Sequence, residues 1–485
     1  MNKPILLLLV IIGLLAACAP AAPSGGLPLL AVTPPAAPTP TWQGRPEYAP
    51  GELVDYIAQS GDTLPALAGR FNTSVEEIYA ANPFIPRNAT TMPPGMPMQI
   101  PIYYLPLWGD PTHLLPDNAY VYGPALIGFD ASAFVASQPG WLKSLRAWAG
   151  NAWRSGAGIV NYVGRNFSIS PRLLLALLEY QAGALSQPEK PKTPYLLGYE
   201  RPYYESVYLQ LVGAANTLNN GYYGWRDGSL TEFELQDGTL IRPDPWQNAA
   251  SVALQYYFSK VLPPDEYRIA VSPQGLFATY AALFGDPWQD ATELIPGSLQ
   301  QPDLRLPFPA GRVWTLTGGP HTGFGHGLPF AALDFAPPSD LSGCFAVDEK
   351  DYALAMADGL VVRSETGTVV LDLDGDGDER TGWVILYIHV GSAGRAPAGL
   401  SLKAGEPIGY PSCEGGTTTG THIHVARKYN GEWIPADGPL AFNLEGWIAH
   451  NGREAYLGTL TKGSLTITAS VVSDLFSQIQ SQAIP

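Results

Sequence analysis

Residues 420–424 read Gly420-Thr421-His422-Ile423-His424, so a single residue separates two histidines. Side chains alternate along a β-strand, and His422 and His424 would therefore share one face, about 7 Å apart. One imidazole can then bind a metal ion while the other reaches a bound water or a substrate. The pair predicts a metal site on a strand.

The sequence around this pair is typical of an antiparallel β domain. Runs rich in β-branched and aromatic residues alternate with Gly-rich turns, as such a domain requires. The predicted strands are Val313–Leu316, Ala353–Met356, Leu360–Val362, Thr368–Leu373, Val384–Val390 and Thr421–Ala426.

Histidines are concentrated in the same part of the chain. Of the 7 histidines, five lie between residues 321 and 424, together with Asp334, and imidazole is the usual zinc ligand. His389 ends the apolar run Trp383–His389, where a polar side chain can face a cleft. The five histidines are His321, His326, His389, His422 and His424.

Several motifs resemble lysostaphin-type (LytM-like) zinc metallopeptidases over about residues 311 to 440. They are Ala331–Pro337 with Asp334, Leu386–His389, Gly405–Gly409 and Gly420–His424. The resemblance implies that an early histidine, Asp334 and His424 bind Zn²⁺, and that His389 and His422 are catalytic. No His-Glu-x-x-His helix occurs, which argues against a thermolysin-like site.

The identity of the first ligand is open on sequence grounds. Family members usually place this histidine four residues before the aspartate, whereas His321 lies thirteen and His326 eight residues before Asp334. We favour His321, because the segment Thr317-Gly318-Gly319-Pro320-His321 directly follows the predicted strand Val313–Leu316, and we expect the Gly-rich insertion to loop out.

The N-terminus is typical of an export signal. Lys3 precedes the apolar run Ile5–Leu15, which is too short to span a bilayer. Leu15-Ala16-Ala17-Cys18 resembles a bacterial lipobox, which implies lipidation at Cys18 and a membrane-anchored lipoprotein at the cell envelope. The alternative is a plain secretory signal. Residues 19–52, rich in Pro and Ala, are predicted to be a tether.

Residues 53–104 predict a small βααβ unit. Ser74 and Glu77 have capping-box spacing at the second helix. The unit resembles a lysin motif (LysM), a family that binds glycans containing N-acetylglucosamine, including peptidoglycan. The resemblance implies a ligand groove formed by Asp62, Thr63, Asn82, Phe84 and Ile85; the alternative is a structural domain without ligand.

Residues 120–300 are predicted to be mainly helical. The segment Ile169–Gly183 resembles the catalytic helix of lysozyme-like transglycosylases, but Gln181-Ala182 replaces the catalytic Glu-Ser. An amide cannot donate the proton that a carboxylic acid supplies. The alternatives are a glycan-holding remnant, a helical spacer, and a glycosidase that uses Glu179. The other predicted helices are Tyr204–Leu218, Pro245–Ser259 and Gly275–Leu283.

The acidic stretch Asp372–Glu379 resembles the first half of an EF-hand loop, with carboxylates at Asp372, Asp374, Asp376 and Asp378. Trp383 stands where the closing glutamate would be. Calcium binding and a solvated acidic hairpin are both consistent with this pattern.

Charge and cysteine content restrict the partners. The net charge is -16 without a basic run, which argues against nucleic acid. Of the 3 cysteines, Cys344 and Cys413 remain if Cys18 is lipidated, and export makes a disulfide between them plausible; two separate thiols are the alternative.

The sequence therefore predicts a multidomain α+β protein that acts as a zinc endopeptidase on peptidoglycan cross-links. The alternatives are a non-catalytic wall-binding lipoprotein and a glycosidase acting through the middle domain. The predicted order is a signal (1–18), a tether (19–52), a lysin motif (53–104), a lysozyme-like helical domain (120–300), a peptidase domain (301–440) and a C-terminal β extension (441–485).

Overall fold

The computed structural model describes residues 46–104 and 109–482, within one compact unit, Arg45–Pro485. The predicted signal, the lipidation site Cys18 and most of the tether lie outside the described residues. Among the described residues, no helix is both long and apolar enough to cross a membrane.

The first folded part is the predicted βααβ unit. Its second helix starts with the predicted capping box: the Ser74 hydroxyl accepts from the Glu77 amide, and the Glu77 carboxylate accepts from the Ser74 amide. The elements are β1 (Glu52–Ile57), α1 (Leu64–Phe71), α2 (Val75–Ala81) and β2 (Pro97–Ile102), with β1 and β2 antiparallel.

The middle part is mainly helical, and the helices predicted at Tyr204–Leu218, Pro245–Ser259 and Gly275–Leu283 each begin and end somewhat later than predicted. The longest begins three residues late, because the Ser206 hydroxyl accepts from the Leu209 amide, and it runs on to Gly228 at φ +78°. Ser170 precedes its helix without a side-chain cap hydrogen bond. The elements are α3 (Asp117–Tyr120), α4 (Ala131–Ser137), β3 (Arg146–Ala149), β4 (Ala152–Ser155), α5 (Gly156–Phe167), α6 (Pro171–Ala182), α7 (Val207–Asp227), β5 (Phe233–Glu234), β6 (Leu240–Ile241), α8 (Ala249–Val261), α9 (Pro264–Ala270) and α10 (Leu276–Phe284), with 3₁₀ turns at Pro124–Leu126 and Trp141–Lys143.

The remainder of the chain is antiparallel β structure. One 9-stranded sheet has the strand order β13-β10-β11-β12-β15-β8-β7-β21, with β16 paired to β15. The strands are β7 (Val313–Thr322), β8 (Phe330–Ala336), β9 (Ala353–Leu354), β10 (Gly359–Glu365), β11 (Gly367–Asp372), β12 (Trp383–Val390), β13 (Ser401–Leu402), β14 (Pro407–Gly409), β15 (Ile423–Tyr429), β16 (Glu432–Trp433), β17 (Asn443–Leu444), β18 (Trp447–Asn451), β19 (Gly458–Lys462), β20 (Leu465–Thr468) and β21 (Gln478–Gln480).

The predicted boundary at residue 440 does not separate two independent parts. Strand β21 pairs with β7, and Ile479 is buried in the same core as the peptidase sheet. The strands β17 to β20 form a second sheet. The C-terminal extension is therefore a structural part of the β domain, because it completes one edge and one core.

The two faces of the large sheet pack against different partners. Along β12, Ile385 and Tyr387 enter the core of the β domain, whereas Val384, Leu386 and Ile388 enter the core of the helical part. The helices thus pack against one face of the sheet along its central strands. This explains why β12 reads as a continuous apolar run rather than an alternating one.

Arg226 of α7 contacts all three parts of the structure: the lysin motif, the helical part and the β domain. Its guanidinium pairs with Asp117 at 3.0 Å and with Glu432 at 2.8 Å, and it also donates to the Ser60 carbonyl of the lysin-motif part. Arg226 and Glu432 are buried and Asp117 is nearly so, and a single guanidinium faces two carboxylates, so loss of Arg226 would leave uncompensated negative charge. The mixed α+β multidomain fold that the sequence predicted is confirmed, with its parts closely joined.

Candidate metal centre

Two donor residues of the centre lie directly opposite each other in the sheet. Asp334 of β8 pairs in register with His424 of β15, and their side chains point to the face that the helices cover. The Asp334 Oδ1 atom lies 3.1 Å from the His424 Nδ1 atom. Cross-strand neighbours on one face meet in this way because their Cβ atoms lie about 5 Å apart.

His321 joins this pair through irregular strand pairing. The register between β7 and β8 shifts between Leu316 and Gly318, and again before and after His321, so the strand continues through residues that predict a turn. Gly318 lies opposite Asp334, and a Cβ atom there would come within 2.6 Å of the carboxylate. The bulged strand therefore needs glycine where it passes the aspartate.

The three donors have the spacing of a tetrahedral zinc site. His321 Nε2 lies 3.1 Å from His424 Nδ1 and 3.3 Å from Asp334 Oδ1. Ligand atoms at about 2.0–2.1 Å from a tetrahedral zinc ion lie ~3.3 Å apart. His321, Asp334 and His424 form one of the metal-compatible groups among the described residues, and their chemistry and spacing fit zinc.

His326, the alternative first ligand, lies elsewhere. It is exposed on the loop between β7 and β8, and its backbone amide donates to Asn216 of α7. The Leu328 amide donates similarly to Asn220. The Gly-rich insertion is thus held against α7, and it directs the His326 side chain into solvent.

The two predicted catalytic histidines border the same centre. The His389 and His422 ring centroids lie 4.4 Å apart, and His422 Nε2 is 3.6 Å from Asp334 Oδ1. His389 has φ +66°, which is rare for a residue with a side chain. Its carbonyl accepts hydrogen bonds from the Ser412 amide and hydroxyl, which hold this strained conformation at the end of β12.

All four histidines are oriented by backbone carbonyls. Each ring has one nitrogen within hydrogen-bond distance of a carbonyl oxygen, so this nitrogen carries the proton and the other, facing the centre, has a free lone pair. The carbonyls belong to Gly319 for His321 (2.8 Å), Glu414 for His389 (2.9 Å), Gly420 for His422 (2.9 Å) and Gly323 for His424 (3.1 Å).

Burial and mutual proximity set the charges of the centre. Desolvation, with His422 and His424 close by, lowers the pKa of His389 to about 3. Burial likewise lowers the pKa of His424. Although burial alone would raise it, the neighbouring His321 and His422 hold the pKa of Asp334 well below its usual value. Although burial alone would lower it, the Asp334 carboxylate raises the pKa of His321, so a divalent cation at this centre would compete with a proton on that ring.

Tyr456 is a neighbour of the centre that the sequence did not reveal. Its ring stacks on His321 with centroids 4.2 Å apart, and its backbone exchanges hydrogen bonds with Gly319 and Pro320. Burial, together with Asp334, raises the pKa of its hydroxyl. It lies in the C-terminal extension, and no spacing or motif in that segment pointed to the metal centre.

The structure forms the disulfide between Cys344 and Cys413. Next to Cys413, the Glu414 carbonyl holds His389; next to Cys344, the Gly343 carbonyl accepts from the Thr421 amide, which precedes His422. The disulfide therefore joins two loops, one of which holds His389 and the other Thr421, the residue before His422.

The acidic loop between β11 and β12 brings three of its four aspartates together. Asp372, Asp374 and Asp376 have carboxylate oxygens within 4.8 Å of one another. Asp378 instead pairs with Arg380 at 2.6 Å. The loop carboxylates also accept hydrogen bonds from loop amides, as in the bond from Gly377 to Asp372. Asp378 therefore does not belong to the predicted calcium set, because an arginine neutralises it.

The predicted glycan groove of the lysin motif contains two residues that are buried inside its own core. The Asp62 carboxylate accepts from Tyr56, Gln59 and Arg70. The Asn82 side chain bonds the backbone of Ile78 and Gln99. These two side chains are not available to a ligand, because the fold of the motif itself uses them. Ile85 is buried as well, while Thr63 is partly exposed and Phe84 is 60% exposed.

The chain itself contacts two segments of the lysin motif that lie close in sequence to the predicted groove residues. The Ser60 hydroxyl accepts from the Leu294 and Ile295 amides and donates to the Ile295 carbonyl. In the other segment, Thr90 donates to the Leu299 carbonyl, and Thr91 donates to the Pro296 carbonyl. The connector 294–299 therefore lies against both segments.

Glu179, the alternative glycosidase acid, has a structural role at the end of α6. Its carboxylate accepts from the Leu185 amide at 2.6 Å and from the Ser186 amide at 3.1 Å. Gln181 accepts from the Tyr257 hydroxyl at 2.6 Å. Glu179 holds the turn that follows α6, and Gln181 contacts the neighbouring helix. This geometry favours a structural role for both side chains.

Two family models match the chain. Residues 56–101 match the LysM domain, and residues 113–298 match the model described as LasA, N-terminal domain. The second match covers the helical part, for which the resemblance to lysozyme stays a prediction.

Curated proteins and solved structures give further likenesses. Protease LasA of Pseudomonas aeruginosa strain PAO1 is 25% identical over 369 residues, which are 70% of this chain and 78% of that protein. The LasA of strain UCBPP-PA14 is 24% identical over the same lengths. The solved M23 metalloprotease pseudoalterin is 20% identical, covers 35% of this chain and 96% of its own, and has a TM-score of 0.29. The predicted combination of a lysin motif with a LytM-like peptidase domain is confirmed.

Proposed function

We propose that this chain is a zinc endopeptidase that hydrolyses peptide cross-links of bacterial peptidoglycan. The observation that carries the proposal is the convergence of His321, Asp334 and His424, with donor atoms 3.1–3.3 Å apart, beside two further imidazoles. A structural zinc site is closed by four protein ligands, whereas three protein ligands leave one coordination position for water or substrate.

Bound there, zinc would supply a Lewis acid and lower the pKa of a coordinated water toward neutrality. His389 and His422 would handle the protons. Each presents an unprotonated nitrogen toward the centre, so either can accept a proton from water and return it to the leaving amine nitrogen. The low pKa of His389 keeps its ring neutral at pH 7, and it also makes this ring a weak base as long as the centre holds no cation or substrate.

The remaining groups of the site would position the substrate. His389 and His422 lie side by side, so the ring that has taken up the proton of the water can then donate a hydrogen bond to the charge that develops on the peptide carbonyl oxygen. Tyr456 is half exposed beside His321 and can contact the same substrate. A degenerate, non-cleaving relative would be expected to lack at least one of these groups.

We further propose that the protein is exported and anchored as a lipoprotein through Cys18. The support is the sequence alone, Leu15-Ala16-Ala17-Cys18 after an apolar run. Mass analysis of the mature N-terminus tests this: a diacylated Cys18 supports the anchor, and an unmodified or differently cleaved N-terminus refutes it.

For the acidic loop, we propose Ca²⁺ binding by Asp372, Asp374 and Asp376. Burial and the adjacent Asp374 carboxylate raise the pKa of Asp372 to about 6, and a hard cation would relieve that repulsion.

Mass analysis of purified peptidoglycan after digestion tests the main proposal. The wild type should release cut peptide stems, and His422→Ala should not. Glu179→Gln is the matched control, because it replaces the carboxylate of the alternative acid by an amide of nearly the same shape. This change should leave the products unchanged. Cut glycan strands that disappear with Glu179→Gln would support the glycosidase instead, and no products at all would support a binding protein.

A further inference from the structure

The β3–β4 hairpin of the helical part presents an exposed pair of tryptophans. Trp148 and Trp153 face each other across the two strands, with ring centroids 6.1 Å apart and the rings inclined at 80°. They are 56% and 66% exposed. Large apolar side chains at the surface of a soluble protein usually lie singly, so a paired arrangement indicates a contact site.

The hairpin is held rigidly, so that the pair is presented in one orientation. Gly150 and Asn151 both have positive φ, as a two-residue type I′ turn requires. On the inner side, Gly150 lies against the Tyr162 ring of α5, and the Arg154 guanidinium stacks over the same ring at 4.3 Å. The contacts that fix the hairpin use its inner face and leave the two indoles outside.

Positive charge accompanies the indoles. Arg146 is two residues before Trp148 and therefore shares its face, and Lys143 is exposed nearby in sequence. Within the described part of the chain, no hydrogen-bond or ion-pair partner engages the Arg146 guanidinium. Between Asp130 and Glu179 the sequence has five basic residues and no acidic one, although the net charge of the chain is -16.

We propose that this hairpin is a binding site for a glycan strand whose peptide stems carry carboxylate groups, and this rests on peptidoglycan being the substrate. A pyranose ring has an apolar face that can lie on one indole, and an indole N–H can donate to a sugar hydroxyl. Arg146 would pair with a carboxylate of a peptide stem. The proposed ligand thus complements both the aromatic and the charged groups.

The geometry favours a glycan over a lipid surface. A segment that inserts into a membrane carries its apolar side chains where it meets the lipid, but the tip of this hairpin consists of Gly150 and Asn151. The indoles project sideways from the strands and partly cover one another. This suits one flat ring rather than a bilayer.

The position of the hairpin also suits a substrate of the metal centre. It leads directly into α5, and at the far end of this helix Phe167 packs on Phe324 of the loop between β7 and β8. The 12 residues of α5 span about 18 Å. A strand held at the hairpin would therefore bring its peptide stems to the region of the centre, and the local concentration of cross-links would rise.

Sedimentation of the full chain with purified sacculi tests the site, in chelator so that nothing is cleaved. Trp148→Ala/Trp153→Ala should weaken binding about tenfold or more. Arg146→Glu, an exposed change that leaves the indoles in place, should weaken it several-fold and more strongly at low salt. Tyr203→Ala is the control, since Tyr203 is 85% exposed on another surface loop, and its binding should stay within twofold of wild type.

Two further measurements decide the interpretation. Cleavage of a short cross-linked peptide without sugars should be unchanged in the hairpin variants, whereas cleavage of sacculi should fall. Sacculus binding that is unaltered in both hairpin variants overturns the proposal. So does a result in which the variants lose binding to phosphatidylglycerol vesicles but keep their binding to sacculi. If the wild type cleaves nothing but the hairpin variants lose sacculus binding, the peptidase proposal fails and the glycan site stands.

Discussion

His321 Nε2 lies 3.1 Å from His424 Nδ1, although the two residues are 103 positions apart in the chain. Neither nitrogen is needed as a donor, because the Gly319 and Gly323 carbonyls engage the opposite nitrogen of each ring. Two lone pairs directed at one point beside the Asp334 carboxylate are unfavourable without a cation between them. The relationship therefore supports the metal site proposed above.

Metal content separates the two candidate first ligands. His321→Ala and His424→Ala should each remove stoichiometric zinc, because two protein ligands hold the ion far less tightly than three. His326→Ala should retain it, since that side chain is exposed on the insertion loop. Elemental analysis of the purified variants gives the answer, and zinc lost with His326→Ala but kept with His321→Ala would reverse the assignment.

The catalytic histidines should affect turnover without affecting metal content. His389→Ala and His422→Ala should lower kcat by about 10²–10⁴-fold, the usual contribution of a proton-transferring side chain. Zinc should remain bound, because neither residue is one of the three donors. Parallel measurements of activity and zinc content test this. If a variant loses both its activity and its zinc, the substituted histidine would have to be counted among the zinc ligands.

The disulfide should matter for stability and for the site. In the chain-entropy model, closing the 69-residue separation between Cys344 and Cys413 contributes about 4 kcal/mol. Cys344→Ser/Cys413→Ser should therefore lower the Tm and, through the loops that hold His389 and the residue before His422, lower kcat as well. Thermal unfolding of the double variant, beside wild type with and without reductant, measures the first effect. An unchanged Tm would mean that these loops are held by other contacts.

Lys428 should make stability depend on pH. Burial against Trp433 and α5 lowers the pKa of its ammonium group to about 7. Between pH 7 and about 10.4 the unfolded chain then binds more protons than the folded one, so the free energy of unfolding should rise with pH, by at most about 1.4 kcal/mol per pH unit. Urea unfolding at several pH values measures the slope. Lys428→Met should abolish this contribution, and an equal slope in the variant would refute the assignment.

Calcium should stabilise the protein through the acidic loop. Millimolar Ca²⁺ should raise the Tm of the wild type and leave Asp372→Asn/Asp374→Asn unchanged. The effect should be present above pH 6 and fade below it, because the pKa of Asp372 is raised to about 6 and protons then compete with the cation. Asp378→Asn is the control, since that carboxylate pairs with Arg380. If the Tm does not change when Ca²⁺ is added, the loop is a solvated hairpin without a bound cation.

Local sequence patterns predicted much of the fold. The capping box at Ser74 and Glu77, the proline at the start of α6 and the apolar run of β12 each depend on contacts within a few residues, and each forms as expected. The predicted strand Val313–Leu316 stops six residues before the end of β7 at Thr322. The register shifts opposite Asp334 carry it on to Thr322 instead, and pairing with a distant strand outweighs local preference.

The same division applies to the site. The residue types, the His-x-His spacing and the order of the motifs are properties of the sequence, and they alone identified the two histidines, the aspartate and the catalytic pair as candidates. Only the tertiary structure brought His321 rather than His326 to Asp334, fixed the free nitrogen of each ring through a carbonyl, set Tyr456 on His321 and turned the Asp62 and Asn82 side chains into the core of the lysin motif. The physical reason is range: spacing along a strand is local, whereas burial, ring orientation and strand register depend on partners a hundred or more residues away.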